Sequence, residues 1–137
     1  MVVGAVGLQV ATYIQPWFPD WPREEMAQVA VLEGTWQSRV FGMLRQWAVA
    51  WNGQIHLTAP GLRKIDEGYV PEEALLAHEL VHVRQQRDMG WRPWLVMYLW
   101  ASFWGLIRRI PVDRHPLESE AYRVGDAVWE SIGSLKA

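Results

Sequence analysis

Four histidines occur in the 137 residues, and two of them stand four apart around a glutamate: His78-Glu79-Leu80-Val81-His82. On a helix, positions i and i+4 lie about 40° apart around the axis and are surface neighbours. Two imidazoles so placed can converge on one ion at Zn–N distances of about 2.0–2.1 Å. Glu79 falls about 60° beyond His82. It is too far round to be a natural third ligand, yet near enough to reach a water held by the metal. The chemistry that fits is metal-assisted hydrolysis, with Glu79 as general base to that water and then as acid to the leaving group. Two histidines can share a helix face by chance, since the pattern has few fixed letters. The capped helical setting of this pair argues for a metal site.

That setting is legible. Pro71-Glu72-Glu73 places a proline in a first turn and acids at the positive end of a helix dipole, and Gly90 is a natural stop. Two histidines leave a tetrahedral zinc incomplete, so a third ligand must come from elsewhere. Asp88 is one candidate. Val83-Arg84-Gln85-Gln86-Arg87 favours an unbroken helix, with Gln85 where a glycine would have to turn the chain back. Asp88 then sits about 15 Å along the axis from His78, out of reach.

The second candidate region is Glu118-Ser119-Glu120-Ala121-Tyr122, on a last helix expected from about Pro116. His78-Glu79-x-x-His82 followed by Glu118-x-x-Ala121 resembles the gluzincin metallopeptidases, whose second helix supplies a glutamate in an E-x-x-[AS]-D pattern. The short length resembles minigluzincins, and the run HELVHVRQQ resembles small uncharacterised bacterial peptidases. The likeness covers roughly residues 54–128. It implies His78, His82 and Glu118 as ligands of Zn2+ and Glu79 as the catalytic base. Glu120 is the alternative ligand, about 200° round the helix from Glu118. Glu118 is favoured because Ala121 then occupies the small position where the two helices approach. Tyr122 departs from the family's aspartate, which orients a ligand histidine; Tyr122, Asp126 or Asp113 is left for that task. A His₂Glu set suits zinc, while Fe, Co or Ni also bind such ligands. Tyr69, Tyr98, Tyr122 and His115 are candidate oxyanion donors, with His115 read first as a helix-start residue and His56 as structural or exposed. Gluzincins also pair extended substrate with a strand before the helix, which points to Gln54–Thr58 as an open edge.

The remaining elements must carry these groups. Residues 2–14 bear no charge and read as a strand or buried arm, and Gln15–Pro19 as extended because of its two prolines. Asp20 and Pro22 start a helix expected to reach Glu33, and residues 36–51 fit helix or strand. Asn52-Gly53 between AVAW and QIHL is a hairpin signal, pairing Ala48–Trp51 with Gln54–Thr58. Residues 59–70 read as a loop. The expected fold is a mainly helical, compact α+β, zincin-like core with a small antiparallel hairpin or sheet, in a single domain over 1–137.

Composition narrows the function further. The absence of cysteine excludes disulfide scaffolds, thiolate metal sites and a cysteine nucleophile. A net charge of −2 without a Lys/Arg stripe argues against nucleic acid as partner. Ten tryptophans require a large apolar surface, hidden in a core, a partner or a lipid boundary. Residues 93–107 are uncharged between Arg92 and Arg108-Arg109. As a helix they span about 22 Å, short of the bilayer's hydrocarbon core. Two readings remain: a core helix behind the metal helices, or a peripheral membrane or protein contact through residues 91–107. The expected enzyme is a zinc metallohydrolase acting on a peptide or protein. The alternative is a non-catalytic, zinc-stabilised assembly module that binds through the tryptophan segment. The expected location is the cytoplasm, with a membrane-surface contact allowed and export left open.

Overall fold

The computed structural model describes residues 2–136. Strand β1 (Val2–Ala5) leads into helix α1 (Leu8–Ile14), so the uncharged N-terminal stretch is strand and helix in turn. Gln15–Trp17 closes into a 3-10 turn instead of running extended. Pro16 lies in its first turn, where a missing N–H costs nothing, and the Gln15 amide ties the turn to the Phe18 and Trp21 carbonyls at 2.9 and 2.8 Å.

The helix expected to reach Glu33 stops early. Helix α2 is only Arg23–Ala27, and Ala30–Glu33 is strand β2. Pairing decides this: β2 lies between two neighbours, and Val31 and Leu32 are both buried there. The ambiguous stretch resolves into helix α3 (Trp36–Met43), capped by the Thr35 hydroxyl accepting from the Ser38 amide, and strand β3 (Ala48–Trp51). The hairpin to β4 (Gln54–Leu57) forms as expected. Asn52 and Gly53 both take positive φ, +48° and +81°, as a type I′ turn requires.

The sheet is mixed. Its order is β1-β2-β4-β3, antiparallel at both outer pairs and parallel between β2 and β4. The open edge beside the later helices is therefore β3, and β4 is interior, contrary to the expectation for Gln54–Thr58.

Residues 59–66 form helix α4 (Ala59–Asp66) where a loop was expected. Thr58 caps it through the Gly61 amide at 3.1 Å, and Pro60 occupies its first turn. Gly61 is there for closeness: a Cβ would lie 1.9 Å from the Trp47 carbonyl oxygen. The Thr58 amide donates to that carbonyl at 3.1 Å, and the Thr58 hydroxyl donates to the neighbouring Gln46 carbonyl at 2.6 Å. Gly61→Ala should cost about 3 kcal/mol of unfolding free energy by overpacking. Urea denaturation measures this, and a loss below about 1 kcal/mol would mean the turn yields freely.

Helices α5 (Glu72–Met89), α6 (Trp91–Arg108) and α7 (Glu118–Lys136) complete the chain. α5 packs against β3 and β4 and, most extensively, against α7. One cluster of buried residues, from Val6 to Val128, forms the core. This is the α+β, mainly helical architecture expected, except that its sheet is mixed. α6 is not the core helix behind the metal helices. Trp94 is its one buried residue, and most of its large apolar side chains face outward.

Candidate metal centre

α5 runs unbroken from Glu72 to Met89, so His78 and His82 share a face one turn apart. α7 crosses that face at close range because it is narrow there. Ala121 is fully buried, and a Cβ on Gly125 would come within 3.2 Å of the His78 Cβ and 3.4 Å of the Ala74 carbonyl oxygen. This approach delivers Glu118 from the first turn of α7. Its Oε1 lies 3.3 Å from His78 Nε2 and 2.5 Å from His82 Nε2. The three ligand atoms all lie within 4.8 Å of one another. Tetrahedral zinc with bonds near 2.05 Å sets its donors about 3.3–3.4 Å apart. The His78 Nε2–Glu118 Oε1 separation matches this spacing, whereas His82 Nε2 and Glu118 Oε1, hydrogen-bonded to each other at 2.5 Å, would have to part by about 0.8 Å to admit such an ion.

The other candidate ligands go elsewhere. Glu120 forms an ion pair with Arg84, and Glu120 and Asp88 line a separate pocket beside Trp21 and Arg87. The opposed faces of one helix decide between Glu118 and Glu120, as the 200° separation requires.

Hydrogen bonds hold the three groups from behind. His82 Nδ1 lies 3.0 Å from Gln85 Oε1, an atom that only accepts, so Nδ1 carries the proton and Nε2 faces the centre. The same Oε1 accepts from Trp94 Nε1 at 3.1 Å, and Gln85 Nε2 donates to the Leu117 carbonyl at 3.0 Å. Gln85 thus joins α5, α6 and the residue before Glu118. Tyr98 on α6 donates its hydroxyl to Glu118 Oε2 at 2.9 Å. Gln85→Leu should keep the fold and weaken the affinity of this candidate centre for added zinc about 10–100-fold. Competition with a chromophoric chelator reads this, and unchanged affinity would reduce Gln85 to a packing residue.

Charge is strongly coupled here. Burial alone would raise the Glu118 carboxyl, but hydrogen bonds from His78 and His82 outweigh it and hold the carboxyl far below the ordinary carboxylate range. Burial would lower the His82 ring, yet the Glu118 carboxylate bonded to it, with Glu79 and Gln85, lifts it above the usual histidine value. Glu79 is buried beside the two histidines, and burial pushes its carboxyl up. His78, His82 and a hydrogen bond from the Ala50 backbone partly offset that push.

A cleft of about 400 Å3 opens on this centre. Trp47 and Ala48 line it from the β3 side, His78 and Glu79 from α5, and Tyr122 and Trp129 from α7. The β3–β4 register turns the amides and carbonyls of Ala48 and Ala50 away from β4. Gln86 Nε2 donates to the Ala50 carbonyl at 3.0 Å, while Ala48 faces the cleft.

The four candidate oxyanion donors separate. Tyr98 is engaged with Glu118, and burial together with that carboxylate raises its pKa and keeps its proton. His115 Nδ1 accepts from the Leu117 amide at 3.1 Å, so its Nε2 proton points to the Tyr98 carbonyl at 3.2 Å. His115 therefore joins α6 to the start of α7, as a helix-start residue would. Tyr69 is exposed against Trp47. Tyr122 remains in the cleft, its ring edge-on to His78 at 4.7 Å. His56 is structural: its Nδ1 lies 2.8 Å from the Thr35 hydroxyl, and burial lowers its pKa.

Sequence reasoning missed Gln85 as the partner of His82, Tyr98 as the partner of Glu118, and Gly125. Only Gln85 had a local signal, since i+3 from His82 is a neighbouring position on the helix surface.

A family model described as the eCIS core domain matches residues 13–90, which include His78, Glu79 and His82 and end before α6 and α7. No curated protein matches, and no solved structure matches.

Proposed function

The chain belongs to the eCIS core domain family, and from that premise we propose that it is a zinc-holding module of an extracellular contractile injection system, working with protein partners in that assembly. The observation that carries the metal is the meeting of His78, His82 and Glu118 from two helices, with ligand atoms within 4.8 Å. Zinc is the ion that this donor set suits.

Within that role, the geometry best supports peptide hydrolysis. A purely structural site has no use for a carboxylate such as Glu79, buried beside both histidines. An ion held by His78, His82 and Glu118 would supply Lewis acidity and an acidified water. Glu79 would take that proton and return it to the leaving amine. Its raised pKa suits an acid–base group better than a permanently charged one. Ala48, on the open edge of β3, offers an amide and a carbonyl to an extended chain lying in the cleft. Tyr122 lines the same cleft beside His78 and is the donor available there to the attacked carbonyl's oxygen. These features support a gluzincin-type peptidase.

Family membership favours the second reading, a non-catalytic assembly module in which zinc only joins α5 to α7. One experiment separates the two. Protein purified without added metal is assayed for zinc by elemental analysis and against a broad peptide library, with a chelator control. Stoichiometric zinc and chelator-sensitive cleavage support the peptidase. Stoichiometric zinc without cleavage leaves the assembly module. Protein that neither retains nor takes up zinc ends both readings.

A further inference from the structure

The outer face of α6 has no counterpart in the metal site. At 100° per residue, its exposed apolar side chains span an arc of about 180° along a helix about 27 Å long. Leu99, Trp100, Phe103, Trp104, Leu106 and Ile107 form its C-terminal half, with Trp100 62% and Leu106 80% exposed. The opposite arc, with Trp94 and Tyr98, is held by the domain. This helix therefore differs from an isolated amphipathic helix: the folded protein takes the place of its polar face.

Two observations say what covers this arc. First, apart from Arg92 at its N-terminal end and the indole N–H groups it offers no hydrogen-bonding side chain, whereas a protein partner's interface typically carries about ten direct hydrogen bonds. Hydrocarbon asks for none, and tryptophan N–H groups suit the headgroup boundary. Second, the charges on the helix and at its C-cap have one sign. Residues 91–109 contain Arg92, Arg108 and Arg109 and no acidic residue, the nearest acids in sequence being Asp88 and Asp113, in a chain whose net charge is −2. No helix among the described residues is long and apolar enough to cross a membrane. We propose that α6 lies in the surface of an anionic bilayer, its aromatic and aliphatic arc among the acyl chains and its arginines among the headgroups.

The test is flotation of the full chain with vesicles of phosphatidylcholine alone, or of phosphatidylcholine mixed with phosphatidylglycerol. Binding is expected to the mixed vesicles and to weaken as salt rises. Leu99→Asp with Phe103→Asp should weaken it at least about tenfold, and Arg92→Gln with Arg108→Gln should remove most of the preference for anionic vesicles. All four side chains are exposed, so the melting midpoint and zinc content should be unchanged. Absence of flotation, or flotation unaffected by the aspartates, overturns the proposal. Self-association in sedimentation, abolished by the same aspartates and without flotation, would overturn it too and assign the face to a second copy of the chain.

Discussion

Glu118→Ala should lose tight zinc binding while Glu120→Ala keeps it. Each change removes one carboxylate from the start of the same helix, two residues apart, so general effects of helix charge are similar. Their partners differ. Glu118 Oε1 faces both imidazole Nε2 atoms, and Oε2 accepts from Tyr98, whereas Glu120 pairs with Arg84. A complete structural zinc site binds with roughly 10–16 kcal/mol at neutral pH. One ligand's share of that is about 4 kcal/mol, or about a thousandfold in affinity. The Glu120–Arg84 pair is partly exposed, and its loss should change affinity by less than about threefold. Isothermal titration after chelator stripping measures both variants. Equal losses, or a larger loss at Glu120, would remove Glu118 from the centre.

On the proposed peptidase reading, Glu79→Gln should retain zinc and lose hydrolysis. The amide keeps the shape of the side chain and can still accept from the Ala50 backbone, but it cannot take a proton. A positioned general base contributes about 10²–10⁴-fold to rate, so kcat/KM should fall by about that factor. Stability should hold or rise, because the substitution removes a carboxyl that burial disfavours in its charged form. The measurement pairs elemental analysis with turnover of the peptide that the library assay selects with the wild-type protein. Full activity in the variant would end the role of Glu79 while leaving the metal centre intact.

The parts of the fold that were legible in advance are those governed by neighbours in sequence. The Asn52-Gly53 turn, the proline and acids that open α5, and the glycine that ends it act within a few residues, and the structure has each of them. The misread segments have an outcome set by distant partners. Residues 30–33 continue a helical pattern locally, but they pair with β1 on one side and β4 on the other. Thr58-Ala59-Pro60-Gly61 contains a cap and a first-turn proline, yet Pro60-Gly61 also reads as a turn; packing of Gly61 on Trp47 goes with the helix. β3 holds the sheet edge because β2 and β4 pair in parallel, a choice that no local pattern in β2, β3 or β4 announces.

The amino-acid sequence alone determined that His78 and His82 share one face of a helix and that Glu79 stands beside them, because 3.6 residues per turn place i, i+1 and i+4 wherever the helix goes. It also implied that the third ligand of an ion held there would come from outside that helix. Only the tertiary structure decided that Glu118 meets them and Glu120 does not. That choice depends on the rotation of α7 against α5, set by the close approach at Ala121 and Gly125. The tertiary structure likewise turned the apolar arc of α6 outward, since an apolar helix has the same sequence pattern whether a core or something else is to cover it.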